Sequence, residues 1–337
     1  MARNLDDFVS AGAFPRKLLG AIYDVRRQTL ESKDRHVIAP YHIQFSPTNR
    51  CNAKCSWCSC RNVDRALEMP IDEIRALLLH FAGIGAAAIT ITGGGEPTLH
   101  PQFEEILEAC GKQHLAVGLV TNGLTWTSAV RPGSRQNLAI DATRRTVTWI
   151  RLSIVDTESG HYDVGRLTRL AVLLPHVDIG VSFTVTRKVS ILTAAAIARV
   201  AEQAPNVTHI RYVEEILDGA PLEMEFVETA CKQHTTKGIY QRRGAWTTGA
   251  ARCLMSKLKP LIDPRGLVFP CCGVQYADGG ARQSLDMGEA YRMCHWREYG
   301  LDTAPFDGSR CVKCYYSEYQ RLLEQLEAPP PRHAVFV

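Results

Sequence analysis

Short β-branched apolar runs alternate along the chain with longer segments whose apolar residues recur at helical spacing. The runs lie at residues 41–46, 87–92, 115–120, 149–155, 179–186 and 207–213, and each has the length and composition of a strand. Between them, residues 70–81, 103–110, 166–174 and 191–203 carry apolar positions three and four apart, which predicts helices. The first opens on Pro70 with Asp72 and Glu73 close behind, a helix-start pattern. This alternation argues for a parallel sheet with helices outside it, about six β/α units in all. Residues on the C-terminal ends of such strands face a functional rim. Residues 14–23 have helical spacing and predict a helix in a lead-in over residues 1–40, covering one end of the core. Residues 128–147, rich in Arg, Thr and Ser and without a clear period, are expected to form a loop at the rim.

The chemistry gathers at the predicted strand ends. After the first strand comes CNAKCSWC, Cys51 to Cys58, which packs three thiols into one short loop with C-x3-C-x2-C spacing. Such a loop can present Cys51, Cys55 and Cys58 to three corners of a [4Fe–4S] cube and leave the fourth iron without a protein ligand. Structural zinc sites want paired cysteines at other spacings, and disulfide frameworks suit short secreted chains. One β/α unit later, Gly93, Gly94 and Gly95 precede Glu96 and Pro97. Glycines at a strand end let the backbone approach a ligand closely.

With an aromatic residue, Trp57, just before the last cysteine, this pattern resembles the radical S-adenosylmethionine (SAM) enzymes. The resemblance implies a partial (β/α)6 TIM-like barrel with the cluster at its rim. The open iron is then expected to chelate the amino and carboxylate groups of SAM. Reductive cleavage would give a 5′-deoxyadenosyl radical that takes a hydrogen atom from substrate. The family's Gly-Gly-Glu run transfers onto Gly94, Gly95 and Glu96 as the SAM-positioning segment. Its polar contacts at later strand ends point to Asn122, Ser153 beside Asp156, and Arg187. Arg187 is placed to pair with the SAM carboxylate, and an Asn-Gly turn or a solvated Arg would explain Asn122 and Arg187 equally well.

A second cysteine set follows. Cys253, Cys271, Cys311 and Cys314 combine C-x12-G-x4-C spacing with a later C-x2-C pair. Four thiols suit a closed site, either zinc or a second Fe–S cluster. Residues 260–270 read as a hairpin turning at Pro264, Arg265 and Gly266. The spacing resembles the auxiliary-cluster domains appended to radical SAM barrels, in the truncated twitch form of the SPASM type with one auxiliary [4Fe–4S] cluster. Cys60, Cys110, Cys231, Cys272 and Cys294 have no partner spacing, and a buried free thiol is the usual fate of such residues. Cys60 and Cys294 are the two to test as a hydrogen donor or replacement ligand.

Composition changes the picture little. The chain has 337 residues, 45% hydrophobic and 22% charged, with net charge +4, which suits a globular enzyme and does not demand a polyanionic partner. No signal-peptide pattern or run of about 18 apolar residues is present, so the expectation is a cytoplasmic chain. Twelve cysteines then read as metal ligands before disulfides. The expected organisation is a lead-in over 1–40, a barrel over 41–245, an auxiliary-cluster domain over 246–320, and a C-terminal helix and polyproline tail over 321–337. The resemblance implies a small polar substrate (an aminocyclitol, sugar nucleotide or nucleotide) and an electron donor such as flavodoxin or ferredoxin. Modification of a peptide remains an alternative, although a leader-binding module is not visible. So does modification of a base or nucleoside in nucleic acid, hinted at by the arginines of 131–145. A non-catalytic zinc protein binding nucleic acid is the alternative from another class.

Overall fold

The computed structural model describes residues 40–126, 134–154, 164–216, 220–242, 247–276 and 289–327. The expected N-terminal helix, Asp156 and the proline-rich end lie outside them. Seven parallel strands follow one another in spatial order: β1 (His42–Phe45), β2 (Ala88–Ile91), β3 (Ala116–Thr121), β4 (Val147–Ile154), β5 (Asp178–Val185), β6 (Val207–Glu214) and β7 (Gly238–Gln241). The helices between them are α1 (Ile71–Gly83), α2 (Phe103–Lys112), α3 (Arg135–Thr146), α4 (Gly165–Leu173), α5 (Ile191–Gln203) and α6 (Pro221–Lys232). The sheet is open, with β7 at one edge.

Period-two alternation fixes which side chains face where. On β4, Ile150, Leu152 and Ile154 are buried against the helices, whereas Trp149, Arg151 and Ser153 point to the concave face. Leu77, Leu78 and Phe81 of α1 and Ile106 and Leu107 of α2 complete the outer core. Full burial of side chains this size stabilises by about 1.5–3 kcal/mol each.

The far edge is made by the C-terminal segment. β8 (Leu261–Ile262) lies parallel beside β1, then turns into an antiparallel hairpin with β9 (Leu267–Phe269), followed by β10 (Cys294–His295). Gly266, at φ +81°, makes the turn, a conformation only glycine adopts freely. The hairpin read from the sequence is therefore present, and it extends the barrel's own sheet. The short helix α7 (Met255–Leu258) packs against the last one, α8 (Ser317–Glu327), around Leu254, Tyr316, Tyr319 and Leu323.

Two expectations are corrected. Residues 135–146 form helix α3 where a loop was expected. Ser134 caps it by accepting the Asn137 amide at 3.2 Å, and Ala139, Ile140 and Ala142 bury one face. Small and polar residues diluted the period that would have revealed it. Its arginines are engaged locally: Arg144 pairs with Asp141 at 2.9 Å, and Arg145 lies 4.0 Å from Glu108. Part of the basic segment offered as a nucleic-acid surface therefore lies on this helix. Secondly, a seventh parallel strand follows the six expected β/α units: α6 completes the sixth, and the four residues of β7 are too few to show alternation.

Candidate active site

The loop after β1 carries the first three cysteines, and the loop after β2 is laced against it. Gly94 donates its amide to Ser46 Oγ at 2.9 Å, and Glu96 donates its own to the Arg50 carbonyl at 2.7 Å. A Cβ at Gly95 would run into the Arg50 carbonyl and Asn49 backbone, and one at Gly94 into the Asn49 side chain. These glycines are needed for close approach between two protein loops, whatever else they contact.

Arg65 fastens the junction, and sequence reasoning missed it. Its guanidinium donates to the carbonyls of Gly94 at 2.9 Å, Asn49 at 3.1 Å and Cys60 at 3.1 Å. Nothing in the sequence distinguishes this Arg from a solvated one.

Cys51, Cys55 and Cys58 are half-buried and unpaired by disulfides. Their thiols are close enough to affect one another. Burial, then the neighbouring Cys58 and Cys51, pushes Cys55 up to about 12, while Arg65 opposes the shift. Burial also raises Cys51, with Cys58 contributing and the Ala53 amide and Arg65 opposing. Three clustered sulfur donors fit a soft, thiolate-bound cluster.

Glu96 is buried and fully engaged. Its Oε1 accepts from the Thr98 amide at 3.2 Å, Thr98 Oγ1 at 2.7 Å and Thr121 Oγ1 at 2.6 Å, and Oε2 accepts the Asn122 amide at 2.7 Å. Burial raises its carboxyl, and these donors oppose the rise. The carboxylate therefore holds the end of β3 against the glycine loop. Asn122 is tied in as well: its Nδ2 donates to Asn52 Oδ1 in the cysteine loop at 2.8 Å, and its Oδ1 accepts the Leu124 amide at 2.8 Å. Ser153 sits on the concave face of β4, in register with Ser182. Arg187 is exposed in the turn after β5 and does not line the cavity described below.

The second set also assembles from distant positions. Cys253 donates its amide to the Phe306 carbonyl at 2.9 Å, and Cys314 donates to Thr247 at 2.7 Å. Cys271 feels Cys253 and Cys311, while Cys311 feels Cys253 and Cys314. Burial first, then these neighbours, pushes Cys311 up to about 12 and Cys253 to about 11. Cys272 lies beside Cys271, its Sγ 3.3 Å from Tyr316 Oη. Cys294 lies apart on β10, near Glu298 and Lys257. Cys110 and Cys231 are core residues of α2 and α6.

Beside the three-thiol loop opens a cavity of about 230 Å³, lined among others by Cys58, Cys60, Gly94, Arg151, Tyr276 and Cys272, the chain neighbour of Cys271. Cys60 Sγ lies 3.9 Å from the Gly93 carbonyl at its wall.

A parallel α/β half-barrel with a three-thiol loop at its rim is the architecture of an iron–sulfur enzyme. Residues 45–150 match the family model of the Radical SAM superfamily, so the chain carries a radical SAM domain, of the kind that uses a [4Fe–4S] cluster and SAM. GTP 3′,8-cyclase of Actinobacillus succinogenes is 37% identical over 91 residues, which is 25% of this chain and 26% of that protein. The corresponding protein of Mannheimia succiniciproducens is 35% identical over 89 residues, with the same coverage. The match thus spans about a quarter of these relatives. Among solved structures, Streptococcus suis SuiB bound to the precursor peptide SuiA superposes with TM-score 0.59 at 14% identity, over 86% of this chain and 70% of that one. The structure of anSMEcpe with bound AdoMet and Kp18Cys peptide gives 0.52 at 14% identity, over 83% of both chains. At such identities the likeness is one of fold. No helix among the described residues is long and apolar enough to cross a membrane.

Proposed function

We propose that this chain is a radical SAM enzyme acting on a small polar substrate held between two iron–sulfur clusters. Cys51, Cys55 and Cys58 would hold the SAM-binding [4Fe–4S] cluster, and Cys253, Cys271, Cys311 and Cys314 an auxiliary [4Fe–4S] cluster. When bound, the first cluster supplies the electron, and SAM the hydrogen-abstracting group, of the superfamily's chemistry. The chain's own residues prepare the site. Arg65 and the Glu96 network fix the cysteine loop, the glycine loop and the end of β3 as one unit. Gly94, Gly95, Asn122 and Ser153 line the SAM side of the rim, with Arg187 farther out.

The observation that supports this reading is the seating of the three-thiol loop on Gly94 and Glu96, beside a cavity whose wall includes Cys58 and, from the C-terminal segment, Cys272. That wall holds a neighbour of Cys271, so an electron leaving an oxidised substrate has a short path to the auxiliary cluster. An aminocyclitol, sugar nucleotide or nucleotide suits the cavity, and the matched relatives named for GTP cyclisation support the nucleotide end of that range. A small external donor such as flavodoxin or ferredoxin would reduce the first cluster.

The test is turnover of SAM alone. With a low-potential reductant, the anaerobically reconstituted protein should release 5′-deoxyadenosine and methionine, and Cys55→Ala should not. Absence of 5′-deoxyadenosine from a protein holding its full iron would end the proposal.

A further inference from the structure

Two guanidinium groups stand inside the barrel with no ion-pair partner among the described residues. Arg151 lies on the concave face of β4 and lines the cavity. Arg211, on β6, has an Nε that is buried with no hydrogen-bond partner. Arg151 pairs in register with Gly180 and Arg211 with Ser182, so β5 places two small residues between the cations, with the His209 ring packed over Gly180. Neither arginine forms an ion pair or hydrogen bond among the described residues. Lys259, half-buried with its Nζ 6.0 Å from the Tyr316 ring centroid, is a third positive charge close enough to affect Arg151. Gln44, lining the same cavity, has a buried Oε1 without a partner.

Burying one unpaired cation is costly, and adjacent like charges add to the cost. Burial and the Arg211 charge both hold the Arg151 guanidinium below its ordinary value. A fold keeps such an arrangement where a ligand offsets it. Guanidinium forks match phosphate and carboxylate oxygens in bidentate geometry. The other groups felt by Arg151 are Cys272, Tyr315 and Tyr316 of the C-terminal segment. Cys272 and Tyr315 line the cavity together with Arg151, which places this guanidinium beside the C-terminal segment.

We infer that Arg151 and Arg211, backed by Lys259, form an oxyanion subsite that binds a phosphate or carboxylate of the substrate. This rests on reading the cavity as the substrate site, and it narrows the substrate to an acidic one. SAM brings a carboxylate of its own, so the test must separate the two sources.

Inorganic pyrophosphate and malonate serve as probes for titration of the reconstituted protein by calorimetry, and SAM is titrated separately. Wild type should bind at least one probe, and Arg151→Met and Arg211→Met should each weaken that binding at least tenfold, with the loss falling on the probe and not on SAM. Melting temperatures of the ligand-free variants should equal or exceed wild type, whereas a purely structural role would lower them. The proposal is overturned if wild type binds neither probe, if neither substitution weakens probe binding, or if SAM affinity falls instead. The last result would assign the pair to the SAM carboxylate. Anion binding that persists in a protein unable to cleave SAM would remove the radical SAM reading and leave the subsite standing.

Discussion

The Arg65 guanidinium donates to the Gly94 carbonyl at 2.9 Å, and through this bond the cysteine loop and the glycine loop become one unit. The same side chain reaches Asn49 and Cys60. Hydrogen bonds from a charged donor contribute about 1.5–3 kcal/mol each. Arg65→Met is therefore expected to lower SAM affinity by roughly 10- to 100-fold, at the level of one or two such bonds. Arg65→Lys should rescue little, since an ammonium lacks the planar fork that spans three carbonyls. Equilibrium binding of SAM to the reconstituted variants checks both outcomes.

Glu96 is expected to matter for stability as much as for the cofactor. Four hydrogen bonds, three to Oε1 and one to Oε2, tie its carboxylate to the end of β3 and to Thr98. Glu96→Gln puts an amide NH2 among donors, and should cost about 2–4 kcal/mol through unsatisfied buried groups. Thr121→Val removes one donor and should cost about 1–2 kcal/mol. Denaturant unfolding of both variants measures these losses.

The two cysteine sets should separate by iron content. Reconstituted wild type is expected to hold about seven to eight irons, from two four-iron clusters. Cys314→Ala should retain about four, and still cleave SAM in part. Iron analysis beside 5′-deoxyadenosine release decides it: loss of cleavage in Cys314→Ala with cleavage kept in Cys55→Ala would reverse the two assignments.

Asp263 predicts a pH dependence. Burial raises its carboxyl above the ordinary value, while Arg265 and the Arg265 and Leu267 amides oppose the shift. A carboxyl raised in the folded state binds its proton more tightly there than in the unfolded chain. Its contribution to stability therefore grows as pH falls towards the folded value and is lost as pH rises through it. Melting of wild type and Asp263→Asn between pH 7 and pH 5 should show wild type gaining on the variant as pH falls.

Much of the scaffold was legible in the sequence, because β-branched runs such as 87–92 and 179–186 have a period that tertiary packing respects. The three-thiol loop was legible for a different reason: its ligands are local, so spacing alone carries the geometry. What escaped notice depends on contacts between distant segments. Arg65, Arg151 and Arg211 are single arginines whose meaning comes from the carbonyls or empty space around them. Glu96 was expected to help position SAM, and its hydrogen bonds to Thr121 and Asn122 at the end of β3 could not be read from the sequence. Helix α3 was hidden by its polar composition, and its core-facing residues are mostly alanines.

The account depends most on an iron of the first cluster that no cysteine ligates. Electron paramagnetic resonance of the reduced Cys314→Ala protein, which retains that cluster alone, tests this directly when recorded before and after SAM is added. A changed spectrum, with coupling to nitrogen in SAM labelled at its amino group, is the predicted result. An unchanged spectrum from a fully loaded cluster would contradict it.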